Sequence, residues 1–203
     1  MNRIVWIARH GNRFDFVKPE WFNTAERRYD PPLSTDGLLQ ADKIGKRLQW
    51  ENIHHIFASP FLRTIQTAHQ IANILDLPIK LEAGLSEWYN PNWMSETPQI
   101  HSRELLEVKY QRIDWNYNSY FYPQYPETEA QMSYRTGKTA KWLVDNFGDN
   151  LLIVGHSMSV RGATQALVAN MVDFPTPVAS LVKLRGSENN WQLELAGDTS
   201  HLQ

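Results

Sequence analysis

Two histidines in this 203-residue chain stand directly after apolar runs: His10 in Arg9-His10-Gly11, after residues 3–8, and His156 in Gly155-His156-Ser157, after residues 151–154. Arg9 and Arg13 flank the first histidine, and Arg63 follows another apolar run at residues 53–58. Three guanidiniums and two imidazoles are a dense set of donors in a chain whose formal charge is −2. Such a set suits a phosphoryl group, because the planar fork of arginine matches phosphate oxygens bidentately. A helix opening after His156 would add its free backbone N–H groups and the positive end of its dipole.

The elements that must position these groups are legible in the periodicity. Residues 3–8 read as a buried strand, 53–58 as a second one ended by Ser59-Pro60, and 78–81 as a third. The Leu-Leu-Ile-Val run at 151–154 reads as a strand buried on both faces, as in a parallel sheet. Between them lie an irregular stretch at 12–33, broken by Pro19, Pro31 and Pro32, and a helix capped by Ser34 or Thr35 with Leu38, Ile44 and Leu48 on one face. A second helix is predicted over 61–75, and a long one over 127–147 ended by Gly148. The helix after His156 is expected to run to about Met171, followed by strands near 179–184 and 191–195 and a polar tail expected to fray. Strands alternating with helices argue an α/β fold with a mainly parallel sheet. In such sheets ligands bind beyond the carboxyl ends of the strands. If the strands before His10 and His156 are neighbours, both imidazoles enter one crevice.

Residues 84–126 break the pattern. Ten of the 24 aromatic residues fall between Trp88 and Tyr125. That density argues a packed insertion or cap within a single domain spanning 1–203. Most of its rings are expected in a core, with one to three lining the site. A wall of this kind would favour esters with a flat apolar part, such as an aryl or sterol phosphate or phosphotyrosine.

Four ordered blocks carry a resemblance. Arg9-His10-Gly11 after an apolar strand, Ser59-Pro60-Phe61-Leu62-Arg63-Thr64-Ile65-Gln66-Thr67-Ala68, Gly84-Leu85-Ser86-Glu87-Trp88 and Val154-Gly155-His156-Ser157 resemble the signature blocks of the histidine phosphatase superfamily, and nearly the whole chain is covered. Asn12-Arg13-Phe14-Asp15 replaces the serine and asparagine usual in the mutases of this fold. It looks more like the suppressor-of-T-cell-receptor-signalling and ecdysteroid-phosphate phosphatase groups. The resemblance implies a three-layer α/β/α sandwich of the phosphoglycerate mutase-like type. It implies His10 as the nucleophile that forms a phosphohistidine, and Arg9, Arg13, Arg63 and His156 as phosphate ligands, with His156 donating to a phosphate oxygen. Glu87 is implied as the group that protonates the leaving alkoxide and then deprotonates water. The acid role needs that carboxyl protonated when the ester arrives, and a phosphate dianion and Trp88 beside it both favour the neutral form. Neither a metal nor a cofactor is implied. Ser157 departs from the glycine that many members carry after the second histidine.

The bulk numbers bound the alternatives. With 42% hydrophobic and 21% charged residues the composition is that of a globular protein. No cysteine is present, so disulfides and thiolate chemistry are excluded. The near-neutral charge gives no general pull toward nucleic acid or an anionic membrane, so neither is expected as a partner. The first residues lack the pattern of a secretory signal and no apolar run approaches the length of a membrane span, which leads to an expected cytoplasmic protein. The expected partner is a small phosphate ester or a phosphorylated substrate, and a homodimer is compatible with this reading.

Each site residue also has a plainer reading. His10 or His156 alone would be a hydrogen-bonded structural histidine, and Arg63 or Arg13 a surface ion-pair partner. Glu82 and Glu96 compete with Glu87 for the role of acid. His54-His55 would point to opposite faces of a strand, and His69, His101 and His201 have no evident partner. For the whole protein, the alternatives to a phosphatase are a phosphoglycerate mutase-type phosphotransferase and a non-catalytic phospho-ligand binding module.

Overall fold

The computed structural model describes residues 2–171, 173–188 and 190–203. Strand β1 (Arg3–Arg9) shows why the chain folds in layers: Val5, Trp6, Ile7 and Ala8 are all buried, and successive side chains face opposite ways. Val5 and Ile7 join one core, and Trp6 and Ala8 join another. The same alternation recurs in β2 (His55–Ala58) and β4 (Leu151–Gly155), where Phe57 and Ile153 serve the first core and Ile56, Leu152 and Val154 the second. A sheet apolar on both faces must be covered on both.

The sheet order is β3-β2-β4-β1-β5-β6, with β3 spanning Ile79–Leu81, β5 Leu181–Ser187 and β6 Asn190–Asp198. Strands β3, β2, β4 and β1 run parallel, and β5 and β6 extend the sheet by antiparallel pairings. Helices α3 (Thr35–Leu48) and α4 (Leu62–Leu75) cover one face through Ile44, Leu48, Ala68 and Ile71. Helices α6 (Glu129–Asn146) and α7 (Ser157–Leu167) cover the other through Ala140, Leu143, Val160 and Ala163. This is a three-layer α/β/α sandwich. Ser34 caps α3 by accepting from Gly37 N, and Thr128 with Gln131 forms a capping box on α6.

Several expectations are corrected. The stretch 12–33 contains two single-turn helices, α1 (Phe14–Val17) and α2 (Trp21–Thr24). Strand β2 starts at His55, which leaves His54 exposed beside it. Helix α6 does not end on Gly148; its cap is Phe147 in an extended conformation, and Gly148 does not adopt the left-handed backbone that would favour glycine. Helix α7 stops at Leu167, four residues before Met171. The tail is tied down: Ser200–Leu202 forms a 3-10 turn, the Leu202 carbonyl accepts from Lys43 at 2.7 Å, and His201 Nε2 lies 3.0 Å from the Ala179 carbonyl oxygen.

The segment 84–126 contains one helix, α5 (Arg103–Lys109), and packs on the body through two small cores. Tyr89 and Met94 meet Phe61, while Leu106 and Ile113 meet Ile65. Among the described residues no helix is long and apolar enough to cross a membrane.

Candidate functional site

Register brings the two histidines together. In the parallel pair β1 and β4, Arg9 stands opposite Gly155, so each strand is followed at the same level by a histidine. The His10 N–H donates to the Gly155 carbonyl at 3.0 Å, and the ring centroids of His10 and His156 lie 5.3 Å apart at 65°. Both rings are enclosed, at 1% and 0% exposure. Burial holds both well below the usual histidine range, and the positive charge of Arg63 adds to it in each case.

Hydrogen bonds assign the tautomers. Nδ1 of His10 lies 2.8 Å from the carbonyl oxygen of Gly11, which can only accept. The proton is therefore on Nδ1, and Nε2 keeps its lone pair. Nε2 of His156 lies 2.8 Å from Ser59 Oγ, a fully buried hydroxyl with no other acceptor among the described residues. Ser59 therefore donates to it, and the His156 proton sits on Nδ1. That nitrogen is buried and lacks a hydrogen-bond partner, although Glu87 Oε2 stands 3.3 Å away outside hydrogen-bond geometry.

Glycine after His10 has a packing reason. A Cβ on Gly11 would come 2.4 Å from the carbonyl oxygen of Gly37 in the first turn of α3. The Gly11 N–H donates to Thr67 of α4, so the loop carrying His10 is pinned between two helices. Ser157 is the first residue of α7, and its hydroxyl pairs with Thr176 Oγ1 at 2.6 Å. Its backbone is outside the left-handed region, so the serine that departs from the family pattern is accommodated without strain.

The arginines arrive from three segments. Arg63, in the first turn of α4, is fully buried, with Nη2 donating to Glu87 Oε2 at 3.2 Å and Nη1 to the Tyr29 carbonyl at 3.4 Å. Burial lowers its pKa to about 10, with Arg13 adding to the shift, so it stays cationic at neutral pH. Arg9 is likewise lowered, mainly by burial, and donates from Nη1 to the Thr176 carbonyl at 2.6 Å. Arg9 Nε and Arg63 Nε are buried and meet no partner among the described residues. Arg13 is held by Asp15 through Nε at 2.9 Å and borders a cavity of about 180 Å³ together with Arg63 and Glu87.

Of the three competing carboxylates, only Glu87 joins this group. Glu82 is buried and accepts from Gly84 N, Tyr117 Oη, Tyr120 N and Phe121 N, which makes it the anchor of the aromatic segment. Glu96 is exposed. Glu87 itself is positioned by a residue that the sequence did not point to. Arg135 of α6, buried at 1%, donates to the carbonyls of Gly84, Ser86 and Glu87 at 2.9, 3.1 and 3.1 Å and pairs with the buried Glu127. A spacing of eight residues between Glu127 and Arg135 is no helical pairing signal, and Glu127 precedes the helix. Ser59 was visible only as part of a block, without a role. His101 finds a partner in Asp30 at 3.0 Å, and Asp30 also accepts from Leu62 N and lies 3.8 Å from Arg63. His69 packs its ring edge-on against Tyr110.

In comparisons with known proteins, the family model described as the histidine phosphatase superfamily (branch 1) matches residues 5–199. The chain is 26% identical to the ecdysteroid-phosphate phosphatase of Drosophila melanogaster over 95% of its own length and 32% of that protein's. It spans about a third of the length of the first curated relatives it matches. It is also 26% identical to the probable phosphoglycerate mutase GpmB of Yersinia pestis (strain Pestoides F), over 98% of this chain and 94% of that one. A crystal structure of the ecdysone phosphate phosphatase from Bombix mori, in complex with tungstate, superposes with a TM-score of 0.82 at 22% identity. That likeness covers 96% of this chain and 93% of the other.

Proposed function

Because the chain belongs to the histidine phosphatase superfamily, branch 1, we propose that it hydrolyses phosphate monoesters through a phosphohistidine on His10. The observation that carries this reading is the convergence of the free Nε2 lone pair of His10 with His156, Arg63 and Glu87, and with the charge of Arg9, which acts on both His10 and Glu87. Nε2 attacks phosphorus while the ester P–O bond breaks, and Glu87 gives its proton to the departing alkoxide. Water then attacks the phosphohistidine, the P–N bond breaks, and Glu87 takes the proton from that water. Arg9, Arg13 and Arg63, with Nδ1–H of His156, meet the charge on the three equatorial oxygens. In this scheme guanidiniums supply the positive charge that metal ions supply in many other phosphoryl transfers. Residues 84–126 act as a cap within one histidine phosphatase domain.

Transfer to a second substrate hydroxyl in place of water is the other reading, and the likeness to a probable phosphoglycerate mutase over nearly the full length of both chains favours it. Against it, the Asn12 amide donates to Asp36 at 2.8 Å, so it does not offer the free side chain that the mutase pattern has there. Interconversion of phosphoglycerates, assayed with and without bisphosphoglycerate, separates the two.

The direct test is rapid quenching with a labelled ester at alkaline pH. An acid-labile label should appear on the wild-type protein and be absent from His10→Ala. Turnover with no label on His10 at any time point sinks the proposal.

A further inference from the structure

The cavity beside Glu87 carries a second positive charge that the phosphate chemistry does not use. Its inner end is formed by Arg13, Arg63 and Glu87, and its outer end by Phe22, Arg28, Tyr29, Trp93 and Met94. A leaving group that takes its proton from Glu87 must lie on the Glu87 side of the phosphorus, so its alcohol portion extends into this cavity.

Tyr29 fixes the outer walls. Its carbonyl accepts from Arg63 at 3.4 Å, and its hydroxyl pairs with Ser95 Oγ and accepts from Ser95 N, both at 2.9 Å. The loop before α3 is thereby tied to the phosphate-facing arginine at one end and to the cap at the other. Phe22 packs edge-on against Tyr29 with centroids 5.7 Å apart, and Trp93 packs edge-on against Trp88 at 5.0 Å. Trp93 remains 57% exposed, so one of its faces is available to the cavity.

Arg28 borders the same cavity as an exposed side chain, its guanidinium carbon 5.8 Å from the Phe22 ring centroid. The other cations around it are committed: Arg27 pairs with Glu26, Arg13 with Asp15, and Arg63 with Glu87. Among the described residues no carboxylate comes within 4.0 Å of Arg28; Glu26 and Glu96, which share a smaller cavity with it, stay beyond that distance.

Resting on the phosphatase reading above, we propose that Arg28 is a specificity-determining residue and that the preferred substrate is a small phosphomonoester whose flat alcohol portion carries a second anionic group. The phosphoryl end is held by Arg63 and its neighbours, the flat part lies between Phe22 and Trp93, and the second anion meets the guanidinium of Arg28. Such a contact is made equally in the ground state and the transition state, so it acts on KM and not on kcat.

The test uses two esters with the same phenol leaving group, 3-(4-phosphooxyphenyl)propanoate and its propanamide. At low ionic strength the carboxylate should show a kcat/KM about two- to fivefold higher, carried by KM, which is the range of an exposed ion pair. The ratio should fall to about one in Arg28→Gln and below one in Arg28→Glu, and high salt should shrink it in the wild type. Equal kcat/KM for the two esters in the wild type, or a ratio unmoved by Arg28→Gln, overturns the subsite while the phosphatase reading stands. If the wild type turns over neither ester, that reading fails. Calorimetric binding of the same pair to wild type and Arg28→Gln then decides the subsite alone: tighter carboxylate binding lost in the variant supports it, and equal binding overturns it.

Discussion

Arg135 grips the carboxylate of Glu127 at two points, Nε and Nη2 each at 2.7 Å, and its remaining N–H groups reach the carbonyls of Gly84, Ser86 and Glu87 in the segment that carries Glu87. Both partners are buried, so deleting one leaves an uncompensated charge. Arg135→Ala should lose about 3–5 kcal/mol of stability in urea melts. Replacing both partners, as in Glu127→Gln/Arg135→Met, should recover much of that loss, because no unpaired charge then remains. The double variant still lacks the clamp on residues 84–87. It should hydrolyse alkyl phosphates more slowly than wild type while keeping most of its rate on 4-nitrophenyl phosphate. A loss that is equal on both esters would assign Arg135 to folding alone.

The same contrast in leaving groups tests Glu87 directly. An alkoxide needs a proton as it departs, whereas nitrophenolate is stable without one. Glu87→Gln should therefore lower kcat on alkyl phosphates by about 10²- to 10⁴-fold, the usual range for a general acid. On 4-nitrophenyl phosphate the loss should be under about tenfold if dephosphorylation of the enzyme is not rate-limiting. A pre-steady-state burst on the nitrophenyl ester would show when it is. Equal loss of the burst rate on both esters removes Glu87 from the role of acid.

How much of this was legible in the chain depended on the kind of interaction. The apolar runs at 3–8 and 151–154 announced β1 and β4 because a strand buried on both faces must be apolar at every position. The equal offset of His10 and His156 from those strands puts them at one level only because β1 and β4 pair directly, which the structure supplies. Local capping was legible too, since Ser34 and its partner Gly37 are three residues apart. Long-range polar contacts were not. Glu82 is a surface-type residue whose four donors come from residues 84–121, and nothing in its neighbourhood marks it as buried. The end of α6 is a further case: Gly148 looks like a left-handed cap, yet the helix turns away through the extended Phe147. The tail looked frayed by composition, and is instead held by the Lys43–Leu202 and His201–Ala179 contacts.

Acid should weaken the fold through the two site histidines. Both are held well below the ordinary range, chiefly by burial, so the folded protein keeps them neutral where the unfolded chain would bind protons. Their contribution is complete above about pH 6.5, the unperturbed value, and is lost as pH falls toward their depressed values. Urea midpoints should therefore drop between neutral pH and mildly acidic pH, and the drop should be shallower in His10→Ala. Imidazole ¹⁵N spectra should find both rings still neutral about one unit below pH 6.5, where an unperturbed imidazole is mostly protonated. An imidazolium signal for His10 at that pH would contradict the buried, neutral nucleophile.

Glu82 offers a test of what holds the aromatic segment. Oε1 accepts from Gly84 N at 2.8 Å and Phe121 N at 3.3 Å, while Oε2 accepts from Tyr117 Oη at 2.6 Å and Tyr120 N at 2.8 Å. Every one of these partners is a donor. In Glu82→Gln one end of the side chain becomes an NH₂ facing two donors, so hydrogen bonds are lost and buried N–H or O–H groups are left unmet. At about 1–3 kcal/mol for each group so stranded, the variant should unfold at a lower urea concentration. The damage should begin locally, because the affected donors belong to residues 84–121 and the sheet is untouched. Limited proteolysis should cut Glu82→Gln first within that segment, before global unfolding, whereas wild type resists there. Cleavage that appears only with global unfolding would mean that the small cores around Phe61 and Ile65 hold the segment without help from Glu82.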